Sequence, residues 1–359
     1  MEIALVYNLK KEESISKPDD DSQPSSQNII DVSTQVRFSS TSADTYAEWD
    51  TIETITAVRD ALALRHSVTM IEADADAFES LRRTRPAIVF NIAEGQYGVS
   101  REAQIPAILD MLNIPYTGSD ALTLGICLDK SRAKEILSHY AIPTPKFFVI
   151  NAVNDLAGAD IPLPCMVKPL CEGSSKGIFN ASLVRSSREL FEQVERIVTA
   201  YGQPALIEEF LPGREFTVAM LGNGNDARVL PIVEIQFDSL PKGVNPIYSF
   251  EAKWIWDQSD NPLDIFQCPA RLSAPLQASI EKICLDTYRV LRCRDWSRID
   301  VRLDDAGQPH IIEVNPLPGI LPNPEENSCY PKAARAAGMS YQQMLNNVLD
   351  AGCRRYGLK

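Results

Sequence analysis

The chain opens on a short apolar run, MEIALVYN over residues 1–8, with the length and β-branched content of a buried strand. From Trp49 onward, Ile52, Ile55, Val58, Leu62 and Leu64 recur at helical spacing. Residues 67–71 and 87–92 read as two further strands. Strands alternating with helices in this way predict a parallel, Rossmann-like α/β domain. Residues 10–47 break the pattern. They are rich in Ser, Asp and Pro and have few apolar side chains to bury, which predicts a long flexible insertion. Ile105, Ile108, Leu109 and Leu112 then mark a helix over 101–112, with Ser100 as its N-cap. Residues 124–140 predict one continuous helix that stops before Pro143 and Pro145.

The second half changes period. Residues 164–170, 206–210, 215–221 and 229–237 read as strands, the last three as an antiparallel meander. Residues 238–265 read as loop. An amphipathic helix over 276–291 precedes SRIDVRL, which alternates strictly: Ile299, Val301 and Leu303 on one face, Arg298, Asp300 and Arg302 on the other. The turn chemistry of 304–309 folds this strand back on HIIEVN and places Asp300 opposite Glu313 and Arg298 opposite Asn315. The tail over 331–356 is helical.

Charge and composition narrow the function. Lys and Arg total 35 against 48 Asp and Glu, a formal net charge of −13, which argues against nucleic acid or anionic lipid as a partner. No apolar run is long enough for a membrane span, and residues 1–8 lack the parts of a signal peptide, so a cytoplasmic location is expected. The eight cysteines form no C-x-x-C pair and the three histidines do not cluster, which disfavours a zinc site or a Ser–His–Asp triad.

Candidate chemistry sits in three places. Two carboxylates facing each other across a hairpin repel, and a hard cation between them reverses the sign. Asp300, Glu313 and Asn315 therefore read either as a magnesium site with Arg298 beside it or as the polar face of a solvated hairpin. Lys168 lies in an apolar strand and needs a partner. Glu172-Gly173-Ser174-Ser175-Lys176-Gly177 follows it, a loop whose backbone N–H groups can approach phosphate oxygens.

Taken in order, Lys130, VKPLCEGSSKG, LIEEFLPGREFTV, RIDV and EVNPLPG resemble the ATP-grasp superfamily, and within it the D-alanine–D-alanine ligases, from about residue 87 to the C-terminus. The resemblance implies an α+β ATP-grasp fold: a substrate-binding domain over 1–124, a small lid subdomain over 125–207 and a large catalytic subdomain over 208–359. It implies an ATP-dependent carboxylate–amine ligase working through an acyl phosphate. Lys130, Lys168, Glu172, Gly173, Ser174 and Lys253 would contact the ATP phosphates or adenine edge. Glu208, with the backbone of Glu209 and Leu211, would hold the adenine, and Glu215 the ribose. Asp300, Glu313 and Asn315 would hold two magnesium ions, or manganese in their place. Arg298 and the Gly319 N–H would stabilise the tetrahedral intermediate, with Ser174 and Lys253 completing the catalytic set. Glu94, Trp254 and Ser328 would face the substrates, and a homodimer is expected.

The substrate half departs from the family pattern. In the first-substrate loop Glu94 stands at the family's histidine and Val99 at its glutamate. Trp254 replaces a tyrosine and lacks its hydroxyl. The turn after Asn315 is longer. These exchanges imply an amino acid or peptide-like substrate other than D-alanine. Two further readings stand beside this one: a genuine D-alanine–D-alanine ligase, and a nucleotide-binding protein without turnover. The second is disfavoured because a binder has no need of Arg298. A protein–protein role for residues 10–47 finds no docking motif in that segment.

Overall fold

The computed structural model describes residues 1–10, 48–257 and 263–358, so the expected insertion over 10–47 lies, apart from Lys10, outside the described residues. Strand β1 (Glu2–Tyr7), helix α1 (Ile52–Ala63), β2 (Ser67–Glu72), α2 (Ala77–Thr84) and β3 (Ile88–Asn91) form the first layer pair. β1 lies between β2 and β3 and is parallel to both, as alternating strands and helices require. The expected helix at 101–112 starts with a tight turn over Arg101–Ala103 and continues as α3 (Gln104–Leu112). Ser100 stands at the N-cap position of that turn, as expected, but its side chain makes no capping hydrogen bond.

The helix predicted over 124–140 is two helices, α4 (Ala121–Leu128) and α5 (Lys130–His139). Asp129 takes an extended conformation between them, and its carboxylate accepts the N–H groups of Ser131 and Arg132. An internal aspartate cap thus ends one helix and starts the next, and places Lys130 at the first position of α5.

The second sheet contains β4 (Phe147–Ile150), β5 (Cys165–Pro169), β6 (Leu183–Val184) and β7 (Ala205–Glu209) in the order β4-β7-β5-β6, backed by α6 (Ser187–Tyr201). The third contains β8 (Glu215–Leu221), β9 (Arg228–Val229), β10 (Val233–Ile235), β11 (Phe266–Gln267), β12 (Trp296–Leu303) and β13 (Pro309–Asn315), in the order β11-β10-β8-β12-β13 with β9 beside β8. The expected three-strand meander is therefore divided. β7 pairs with β4 and β5 rather than β8, and the predicted strand at 229–237 is interrupted at Leu230-Pro231-Ile232. A proline cannot donate to the ladder, which accounts for the interruption.

Helices α7 (Ala274–Val290), α8 (Cys329–Ala336) and α9 (Tyr341–Tyr356) pack on the third sheet and across to the first. One core is continuous through both: Ile3, Leu5 and Ile55 join Ala219, Trp296, Tyr330, Leu345 and Val348 in a single buried cluster. Trp296 is fully buried, edge-on to Phe90 at 5.6 Å and to Tyr330 at 5.5 Å. The candidate residues gather where the three sheets meet.

Candidate active site

β12 and β13 pair antiparallel, with Arg298 opposite Asn315 and Asp300 opposite Glu313. The register then shifts at a bulge, because Val301 faces Ile311 and Ile312 is the extra residue. Arg298 grips Asp300 with two bonds, Nε to Oδ1 at 3.0 Å and Nη2 to Oδ2 at 2.9 Å. The Asn315 amide donates to Asp300 Oδ2 at 3.3 Å. Lys130 Nζ stands 3.1 Å from Glu313 Oε1. Burial pushes the Glu313 pKa up, but Lys130, Lys168 and Arg298 together outweigh it and hold the carboxyl below its usual range. Two carboxyl groups and an amide oxygen on adjacent strands form an all-oxygen donor set. It fits magnesium, which takes few protein ligands and fills its octahedron with phosphate and water oxygens. Among the described residues, no group of three or more His, Cys, Asp or Glu side chains has metal-binding spacing, so these two acids and the amide would have to suffice.

Next to this hairpin lies an open cavity between the second and third sheets. Its apolar walls include Met166, Ile178, Phe210, Leu211 and Ile312, and its polar rim includes Lys168, Glu208, Glu209 and Glu215. Glu208 is buried between Lys134 at 2.6 Å and Lys168 at 2.5 Å. Burial pushes its pKa up, yet the two ammonium groups outweigh that and bring it down to about 2, so Glu208 is ionised at neutral pH. Arg302, which sequence reasoning did not single out, also lines this cavity. Its guanidinium lies over the rings of Phe210 at 4.8 Å and Phe237 at 5.5 Å and meets Glu215 at 2.6 Å. Its signal in the sequence was the alternation that also exposed Arg298 and Asp300.

The Glu172–Gly177 loop closes one side. Ser174 and Ser175 sit at φ +51° and +58°, where a residue with a Cβ costs roughly 1–3 kcal/mol. Neighbours hold the strained pair in place. The Ser175 hydroxyl donates to the Tyr248 carbonyl at 3.0 Å, and the Trp254 indole N–H donates to the Ser174 carbonyl at 3.1 Å. This corrects the expectation for Trp254: without a hydroxyl it still bonds the loop, through nitrogen. Lys253 precedes it in a wide helical turn, Ala252–Trp256. Burial, and Arg298 nearby, bring the Lys253 pKa down to about 8.

A second, smaller cavity adjoins the first. Gly173, Ser174, Lys253, Arg298 and Glu313 line both. The second also contains Asn315, Gly319 and four carboxylates: Glu48, Asp50, Glu94 and Glu102. Val99, matched to the family's glutamate by sequence, is 60% exposed, and Glu102 supplies the carboxylate on the cavity instead. Arg101 pairs with Glu48 at 2.7 Å. Asp50, Glu94 and Glu102 have no side-chain hydrogen bond or ion pair among the described residues. Burial, followed by mutual repulsion, pushes the Glu94 carboxyl up, and burial, with Glu48 beside it, pushes Glu102 to about 8. Burial alone pushes Asp50 to about 7.

Three expected contacts lie off both cavities. Lys130 is buried behind Glu313, where its ammonium also donates to the Glu172 carbonyl. Ser328 donates to the Gly319 carbonyl at 3.1 Å and accepts Leu321 N–H at 3.2 Å, so its hydroxyl fixes the long turn after Asn315. The Trp254 ring packs beneath the loop rather than on a cavity wall.

Comparison with known proteins shows the family and the fold. The family model described as D-ala D-ala ligase C-terminus matches residues 138–350. The D-alanine–D-alanine ligase of Bordetella avium is 35% identical over 269 residues, 74% of this chain and 78% of that protein. An uncharacterized protein of Sinorhizobium fredii, y4sG, is 36% identical over 299 residues, 81% of this chain and 84% of that one. In three dimensions, the D-alanine–D-alanine ligase of Bacillus anthracis superposes with a TM-score of 0.70 at 24% identity, covering 99% of both chains. The VanG D-Ala:D-Ser ligase of Enterococcus faecalis gives 0.67 at 21% identity, covering 98% of this chain and 99% of that chain. Among the described residues no helix is long and apolar enough to cross a membrane. The chain belongs to the D-alanine–D-alanine ligase family of the ATP-grasp fold, a family of ATP-dependent, ADP-forming carboxylate–amine ligases.

Proposed function

We propose that the larger cavity binds ATP and the smaller one an amino acid that carries a second cationic group, and that the chain joins this amino acid to an amine. The observation behind the substrate class is the excess of acid in the smaller cavity. Arg101 pairs with Glu48, which leaves Asp50, Glu94 and Glu102 without an ion pair among the described residues. A lone α-ammonium, as in D-alanine, meets one of these charges. A side-chain ammonium or guanidinium meets another and removes the cost of ionising crowded, desolvated carboxylates. Lys253 and Arg298, on the same cavity, suit the reacting carboxylate.

The carboxylate oxygen attacks the γ-phosphorus of ATP, the bond to ADP breaks and an acyl phosphate forms. The amine nitrogen then attacks the acyl carbon, inorganic phosphate leaves and the nitrogen loses a proton. Lys168 and Lys253 draw the phosphates into place, and positioning with charge neutralisation is most of phosphoryl-transfer catalysis. Arg298 and the Gly319 N–H face the oxyanion of the second step, where one such donor contributes about 3 kcal/mol. Asp300, Glu313 and Asn315 would hold magnesium, which when bound neutralises phosphate charge. The Glu172–Gly177 loop keeps water from the acyl phosphate. A homodimer in the cytoplasm completes the proposal.

Hydroxylamine intercepts an acyl phosphate as a hydroxamate without needing the second substrate. With Mg–ATP, lysine, ornithine or arginine of one configuration should give more hydroxamate than D-alanine. A clear preference for D-alanine would instead support the second reading, a D-alanine–D-alanine ligase, which the relatives' names favour.

A further inference from the structure

Glu48 belongs to the first layer of the fold but reaches the nucleotide loop. Its Oε1 accepts the Gly173 N–H at 2.7 Å. Its segment is firmly anchored. Asp50 N–H bonds the Asn8 carbonyl at 3.2 Å, Lys10 N–H bonds the Asp50 carbonyl at 2.8 Å, and the Trp49 indole donates to the Gly95 carbonyl at 3.2 Å. Arg101 fixes the carboxylate itself through Nη2, 2.7 Å from both oxygens, and Nε, 3.1 Å from Oε2. The same guanidinium donates to the Cys171 carbonyl at 3.0 Å and to Glu172 at 3.2 Å, so it grips the root of the loop as well. Arg101 is 8% exposed and Glu48 equally hidden at its side chain.

Gly173 records how closely the two parts meet. A Cβ there would lie 2.7 Å from Glu48 Oε1, and Gly173 is not in the left-handed region, so a side chain there would have to push the Glu48 carboxylate away from the loop and from Arg101. The loop that carries Arg101 also carries Glu94 and Glu102 of the smaller cavity. We propose that Glu48 and Arg101 are positioning residues that latch the nucleotide loop to the loop lining the carboxylate cavity, so that the two loops are set as one unit. This rests on the reading of the larger cavity as the nucleotide site.

Mg–ADP binding by calorimetry and hydrogen exchange of the amides of residues 172–178 test it, in the wild type, Glu48→Ala, Gly173→Ala and the double variant. With the latch, Glu48→Ala weakens ADP about tenfold, in the range for directly contacting groups. It also deprotects 172–178 while the amides of β12 and β13 keep wild-type protection. Gly173→Ala does the same, and the double variant is no weaker than Glu48→Ala. Glu48→Gln, which keeps an acceptor for Gly173 but loses the charge facing Arg101, falls between wild type and Glu48→Ala, and serves if the alanine variant does not fold. Unchanged affinity and protection in Glu48→Ala or Glu48→Gln, or additive effects in the double variant, overturn the latch alone. A wild type that binds no Mg–ADP overturns the nucleotide reading with it.

Discussion

At the scale of single residues, opposed charge organises the site. Asp300 and Glu313 face each other across the hairpin, and Arg298 and Lys130 take one each. Glu102 and Glu94 lack such partners, and this gives a pH signature. A carboxyl held at about 8 in the folded chain and near 4 when unfolded keeps a proton on folding across that window. The folded state binds more protons there, so the group's contribution to stability falls as pH rises from about 4 to about 8 and is then constant. Glu102→Gln removes that loss. Its Tm should match the wild type near pH 5 and exceed it at pH 8.5, as read by scanning calorimetry at both values. An equal difference at both pH values would show that Glu102 is not held protonated. The register of the hairpin was legible from alternation and the turn at 304–309. The partnership of Glu48 with Arg101 was not, because 53 residues separate them and only the tertiary fold joins them.

At the scale of elements, the parallel first sheet followed from hydrophobic period, and the β12–β13 hairpin from hydrophobic period together with the turn residues between its strands. The misreadings have local causes. The apolar period runs on through Asp129, so two helices looked like one, although an aspartate before a helical segment is a capping signal. The bulge at Ile312 adds a residue without any mark in the sequence, and it turns Ile312 onto the larger cavity. β7 looked like a neighbour of β8 because the two are adjacent in sequence, but strand choice depends on long-range packing. The Asp129 cap has a measurable weight. Asp129→Ala should cost about 1 kcal/mol in urea unfolding. Because α5 carries Lys130 and Lys134 to Glu313 and Glu208, it should also weaken ADP. A change in stability within error of zero would show that the break is set elsewhere.

At the scale of the molecule, the site exists because three sheets share one junction. The core that unites β1 and β3 with β8 and β12 holds the first and third layers together. Asp295, fully buried, adds a polar tie: it accepts Gly118 N–H at 2.8 Å, Asn223 Nδ2 at 2.6 Å and Arg355 Nη2 at 2.7 Å. The second sheet, with its loop, covers the remaining side. This places two cavities in contact at Arg298 and Lys253, one suited to a nucleotide and one acidic, which is the geometry a two-step ligation requires. The most direct test is phosphate release from Mg–ATP in the presence of the carboxylate that gives most hydroxamate, for the wild type, Glu313→Gln and Asp300→Asn. Wild-type release should depend on the carboxylate, and both variants should fall at least about a hundredfold while far-UV circular dichroism stays native. Release at wild-type rate from a folded Glu313→Gln, or release independent of any carboxylate, would contradict the account.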